Sequence, residues 1–173
     1  MRTTPSAAEF FEEYVRARAA GLTRVAYLLT GDAHLADDLV QATLIEVAAR
    51  WERILAGGDP EPYVRTVLYR KHLSWRRRHR REALPTGDLP EPAGPDISGR
   101  VTTAVAVRAA LAALAPKQRA VLVLRYFEDL TESQAARVLG VTVGTVRSQT
   151  RDALARLRKI APELTDAVEV VRR

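Results

Sequence analysis

Between Leu130 and Leu157 the chain carries helix-starting and helix-ending signals whose spacing leaves little choice of fold. Thr131 and Gln134 stand at capping-box spacing, where hydroxyl and amide each satisfy a free backbone N–H, so a helix is expected from Glu132. Ala135, Ala136, Val138 and Leu139 give it an apolar face. Gly140 then ends it, because a sharp reversal needs a residue free to take positive φ. Val141 is expected to plug the core under the turn. Thr142 is expected to cap a second helix that buries Val146, Ala153, Leu154 and Leu157. Small Ala136, turn Gly140 and apolar Val146 let two short helices cross steeply, which is a helix-turn-helix. A plain helical hairpin with a solvated face is the alternative, and it requires no such register.

The outer start of the second helix reads Thr142, Val143, Gly144, Thr145, Arg147, Ser148, Gln149, Arg151. Small residues let a helix tip approach a groove, Thr, Ser and Gln bond phosphates or base edges, and Arg reaches either. Charge agrees: 27 Lys plus Arg against 21 Asp plus Glu leave +6, most of the basic residues being Arg, whose fork fits phosphate. Cys is absent, which excludes disulfides, thiolate metal sites and Cys nucleophiles. His34, His72 and His79 stand at no ligand spacing, so neither a metal nor another cofactor is expected. The N-terminal MRTTPSAAEFFEEY has no apolar signal core and no apolar run is long enough to span a membrane, so a cytoplasmic protein without membrane insertion is expected.

In chain order, Ser6 and Glu9 box the start of a first helix that faces Phe10, Phe11, Tyr14, Val15 and Ala19 inward and ends near Gly21. A second helix, with Leu22, Val25, Leu28 and Leu29 apolar, closes at Gly31, and Asp32 caps the next. From Leu35 to Leu55, Leu39, Val40, Leu44, Val47, Trp51 and Ile54 form one helical stripe, with Asp37, Asp38, Gln41, Glu46 and Arg50 on other faces. Beside Asp38 and Gln41, Ala42 and Ile45 leave apolar surface: either a partner-docking patch or, by composition, a plain amphipathic core helix. Gly57-Gly58-Asp59-Pro60 breaks the chain, and Pro62 suits the first turn of a helix from Tyr63 to about Glu82.

That helix places Arg65, Tyr69, Arg70, His72, Arg76 and Arg77 around a Val64, Val67, Leu68, Trp75 face. Basic residues interleaved with aromatics suit opened nucleic acid, where Arg neutralises phosphate and rings stack on bases. Residues 83–100, rich in Pro and Gly, are expected to form an acidic linker. After it, Val105, Val107, Leu111 and Leu114 mark one helix. Pro116 opens the next, packed through Ala120, Val121, Leu124 and Phe127. A short amphipathic tail is expected after Arg158, and no added regulatory domain is expected there.

With both halves in view, the chain resembles the extracytoplasmic-function sigma factors of bacterial RNA polymerase, in a pattern similar to actinobacterial SigE-like members. DDLVQATLIEVAARW looks like the family's polymerase-docking helix and PEPYVRTVLYRKHLSWRRR like its promoter-melting helix. LAALAPKQRAVLVLRYFEDLTESQAARVLGVTVGTVRSQTRDALARLR resembles its fourth conserved region. The chain departs from the family's pattern at Ala42 and Leu44 in the docking helix, Arg70 in the melting helix and Gln149-Thr150 in the recognition helix.

The resemblance implies an all-α protein of two small helical domains, 1–82 and 101–173, joined by the Pro-rich linker 83–100. It implies that Asp38, Gln41 and Thr43 contact the clamp coiled coil of core RNA polymerase. The loop with Gly57, Gly58 and Asp59 would capture a base flipped from the minus-ten element, and Tyr63, Arg65, Tyr69, Arg70, Arg76 and Arg77 would hold the opened strand. Thr142 to Arg151 would read the minus-thirty-five element while the second domain sits on the polymerase flap. An anti-sigma factor is a further implied partner. The competing possibility is a stand-alone helix-turn-helix repressor or activator with an N-terminal sensing or dimerisation domain, which needs two-fold symmetry to read paired half-sites. An enzyme is disfavoured, since Asp37-Asp38 and the scattered His residues converge on no acid, base or nucleophile constellation.

Overall fold

The computed structural model describes residues 6–82 and 101–162, with side chains described outside 79–82 and 101–104. The expected linker and all but the start of the tail lie outside the described residues. Among those described there are helices and no strands. The chain divides into two compact units, Met1–His72 and Leu73–Arg173.

The first unit opens with α1 (Ala7–Thr30), started by the Ser6–Glu9 capping box and stopped at Gly31, whose φ is 76°. Gly21 does not end a helix as expected. A glycine inside a helix costs about 1 kcal/mol, and buried Leu22, Ala26 and Leu29 beyond it offset that by packing. Asp32 then caps α2 (Ala33–Ala48) by accepting from the Leu35 N–H at 2.9 Å. The expected continuous helix to Leu55 is broken at Ala49–Arg50, where the Arg50 N–H falls back on the Val47 carbonyl at 3.0 Å. α3 (Trp51–Ala56) follows, and the break turns Trp51 into contact with Phe11 and Tyr14, each ring pair 5.1 Å apart. Phe10, by contrast, is exposed.

α4 (Glu61–Glu82) begins past the Gly57–Pro60 turn. Val64, Val67, Leu68, Tyr69 and His72 are all buried, so the helix is covered over a broad arc.

In the second unit α5 (Val101–Ala112) leads to α6 (Pro116–Leu122), which passes into a π-helical turn, Val123–Phe127. The wider turn swings Phe127 out to 50 % exposure, against the expectation that it packs inward. Arg119, almost fully buried, donates to the Ala112 carbonyl at 2.7 Å, and Arg156 donates to the Ala113 carbonyl at 2.8 Å. Two arginines thus close the C-terminus of α5, where carbonyls lack helical partners.

α7 (Glu132–Leu139) starts in the Thr131–Gln134 capping box, and Gly140 takes φ 64°. α8 (Val143–Ile160) starts at Thr142. Val141 is exposed rather than a plug; Val146, fully buried, fills that place with Ala135 and Ala136. Ala110, Leu114, Leu122, Leu154 and Leu157 join α5, the turn after it, α6 and α8 in one cluster.

Candidate nucleic-acid interface

Thr142 fixes the tip of α8. Its Oγ1 accepts from the Thr145 N–H at 3.1 Å and shares a hydrogen bond with the Thr145 hydroxyl at 2.9 Å. No acidic residue occupies the first turn, so the helix presents its positive end undiminished. Gly144, Arg147, Ser148 and Arg151 recur at helical spacing on one face, while Val146 anchors the opposite one. Arg147, its side chain 68 % exposed, is held through Nε by Glu132 of α7 at 2.7 Å, which leaves its remaining donors outward. Arg151 is more exposed still, 3.4 Å from Asp152. The Ser148 hydroxyl donates to the Thr145 carbonyl at 3.0 Å, so its proton is spent within the helix and its lone pairs remain. Val143, Thr145 and Gln149 are half-buried at the margin of the face.

In the first unit a cleft of about 800 Å³ opens between α3, the Gly57–Pro62 segment and α4. Gly57, Asp59, Tyr63 and Arg70 line it together, four of the positions that the family resemblance implies for opened DNA. Gly58, exposed with φ 102°, belongs to the same turn. Asp59 fixes that turn by accepting from the Glu61 N–H at 3.0 Å. Ile54 and Pro62 also line it, as do Arg50, Arg53 and Glu46, which were not among the expected site residues. The Glu46–Arg50 spacing of four was the available signal, but only the break after Ala48 turns Arg50 and Arg53 toward the cleft.

Glu46 is the electrostatic hub of this wall. It accepts from Arg50 at 3.0 Å, from Lys71 at 2.8 Å and from Arg70. The Lys71 ammonium, against the opposing cost of desolvation, and then Arg70 hold its carboxyl down to about 2. A second carboxylate, Glu61, receives Arg18 at 2.6 Å and the Tyr14 hydroxyl at 2.9 Å. Burial opposes its ionisation, yet these two bonds outweigh it and keep the carboxyl below its usual range. Arg65 lies 3.7 Å from Glu61 and is largely turned to that cluster rather than to the cleft.

On α2, Asp38, Gln41 and Ile45 share an exposed face, with Ile45 71 % accessible in the open.

Residues 14–82 match the model of Sigma-70 region 2, and residues 110–159 match that of Sigma-70, region 4. The RNA polymerase sigma-E factor of Streptomyces coelicolor is 39 % identical over 149 residues, spanning 86 % of this chain and 84 % of that protein. The chain belongs to the extracytoplasmic-function sigma factors. The ECF RNA polymerase sigma factor SigL of Mycobacterium tuberculosis is 33 % identical over 154 residues, covering 84 % of this chain and 85 % of that one. Among solved structures, the sigma factor RpoE of Bartonella quintana, in complex with the anti-sigma factor NepR, superimposes with a TM-score of 0.67 at 23 % identity. That match covers 88 % of this chain and 96 % of that one.

The protein is therefore an alternative sigma factor: it binds core RNA polymerase and directs promoter-specific initiation, acting as a binding factor and not as an enzyme. The stand-alone repressor is set aside.

Two expected contacts of this sigma factor need correction. Thr43 is fully buried and its hydroxyl donates to the Leu39 carbonyl at 2.7 Å, so it presents nothing to a polymerase. Tyr69 is fully buried as well and presents no ring to a strand. Its neighbour His72 is equally enclosed. Arg76 and Arg77 are exposed further along α4. No described helix is long and apolar enough to cross a membrane, and no described cluster of His, Asp and Glu could hold a metal ion.

Proposed function

We propose that this sigma factor divides promoter recognition between residues 1–82 and 101–173, joined by the segment 83–100. The α2 face of Asp38 and Gln41, extended by Ile45, docks on the clamp coiled coil of core polymerase. The cleft takes a base flipped from the minus-ten element: Tyr63 offers a ring for stacking, and Arg50, Arg53 and Arg70 offer donors. Arg76 and Arg77 follow the strand's backbone. The α8 face of Thr142, Gly144, Arg147, Ser148, Gln149 and Arg151 enters the major groove of the minus-thirty-five element while its unit rests on the flap. The convergence of Gly57, Asp59, Tyr63 and Arg70 on one cleft carries this assignment.

Two readers on one chain, each weak alone, make recognition depend on their spacing and on a polymerase that holds them apart. The Bartonella factor is in complex with an anti-sigma factor, and a protein of that kind would regulate this chain by covering the surfaces proposed above. Its place of action is the cytoplasm, where core polymerase resides.

In vitro transcription from a genomic DNA pool, with core polymerase and with or without this protein, tests the assignment. New transcripts preceded by two spaced motifs are expected. Tyr63→Ala should erase the downstream motif alone, and Arg147→Ala with Arg151→Ala the upstream one. Transcripts whose motifs survive both changes would overturn it.

A further inference from the structure

We infer that Glu46 makes the cleft select a base over a backbone phosphate. Both carboxylate oxygens are engaged: Oε1 accepts from Arg50 and Arg70, and Oε2 from Lys71. Glu46 projects from α2, whereas Arg70 and Lys71 come from α4, so one carboxylate ties the cations of two elements to a single wall. A phosphate entering the cleft competes with Glu46 for the donors it already holds, and the two anions repel across a partly enclosed space. A neutral base meets no such repulsion. It finds the donors that Glu46 leaves over, since a guanidinium has five N–H groups and a single carboxylate contact uses one or two. Arg53 adds a cation with no carboxylate partner among the described residues, and Tyr63 adds a ring. Glu46 is thus a positioning residue: it fixes where the arginines point and lowers their pull on the backbone, and it need not touch the base.

This inference rests on the cleft being where a strand binds, and its test separates the two. Full-length wild type, Glu46→Gln and Glu46→Asp are compared in two assays. In the first, binding of the free protein to an oligothymidine is followed against salt. Removing the charge is expected to steepen the log–log salt slope by roughly 0.7 for each cation released to phosphate, and to tighten binding at low salt. In the second, holoenzyme selects from a fork DNA library randomised in the single-stranded minus-ten region. Glu46→Gln is expected to flatten preference at the flipped position by roughly tenfold, the scale of one good base contact. Glu46→Asp, which keeps the charge with a shorter reach, should retain the wild-type slope and show an intermediate preference. It also carries the test if Glu46→Gln folds poorly. A purely structural role would weaken both assays together and would not steepen the slope. If wild type selects a motif and Glu46→Gln selects the same one with an unchanged slope, the inference is overturned while the cleft keeps its role. If wild type selects nothing in the single-stranded region, the cleft assignment itself falls.

Discussion

Thr142 can separate helix stability from the DNA contact proposed for it, because the same side chain caps α8. Its Oγ1 satisfies the Thr145 N–H at 3.1 Å, and loss of an N-cap costs about 1 kcal/mol. Thr142→Ala should therefore raise amide exchange at Thr145 roughly fivefold, 1.4 kcal/mol being tenfold. Thr142→Asp restores the acceptor and adds a favourable charge at the positive end of α8, about 0.3–1 kcal/mol, so protection there should equal or exceed wild type. Promoter binding should move the other way. A carboxylate about 5 Å from a phosphate costs about 1 kcal/mol at a water-like dielectric and about 3 at an effective value near 20. Holoenzyme should bind a promoter duplex roughly 5- to 150-fold more weakly, and the penalty should shrink as salt screens it. Hydrogen exchange and fluorescence anisotropy on the same samples supply both halves. A Thr142→Asp protein with a protected Thr145 amide and wild-type promoter affinity at low salt would show that the tip of α8 does not face DNA.

Other outcomes follow from the same geometry. Ile45→Glu, at a 71 % exposed position, should change stability by less than about 0.5 kcal/mol yet prevent assembly with core polymerase on gel filtration. Thr43→Val, which removes only a hydroxyl bonded to its own helix, should assemble normally. Arg119→Ala should destabilise the helices of 101–162 by about 3 kcal/mol, through a lost charged hydrogen bond and a cavity. Arg119→Met should recover the packing part, with thermal melts of the full chain comparing the two. For Glu46 the folded carboxyl sits at about 2 against 4.5 for the free group, so its cluster stabilises fully above pH about 4.5 and fails as pH falls toward 2. Glu46→Gln should remove that stretch of the acid-unfolding curve.

The caps were legible because they are local. Ser6 with Glu9, Thr131 with Gln134, and Thr142 each find partners three residues away, and Gly140 needs only its own freedom at φ 64°. What the sequence hid were changes of helical phase. Nothing in Ala48-Ala49-Arg50 marks a break, and Val123–Phe127 carries no residue that demands a π turn. Both arise where packing of neighbouring helices overrides local preference, and each re-aims the side chains beyond it: Trp51 inward, Arg50 and Arg53 to the cleft, Phe127 to solvent. Tyr69 and His72 were misplaced for a related reason. A helix rich in Arg reads as solvated outside one stripe, whereas burial at 64, 67, 68, 69 and 72 covers far more of its circumference.

The carboxylates near the basic surfaces answer a problem that net charge creates. A chain at +6 with arginines bare on several faces would settle on any nucleic acid it met, because phosphate attraction carries no sequence. Glu46 holds Arg50, Arg70 and Lys71; Glu61 holds Arg18 and Arg65; Glu132 holds Arg147. Such partly exposed pairs add little to folding stability, about 0–1 kcal/mol each. Their effect is on direction and strength: each arginine is aimed, keeps spare donors, and gives up part of its pull on phosphate. On the proposed division of the promoter, the chain alone is expected to bind weakly, with affinity accumulating when a polymerase presents both readers to a promoter with the right spacing.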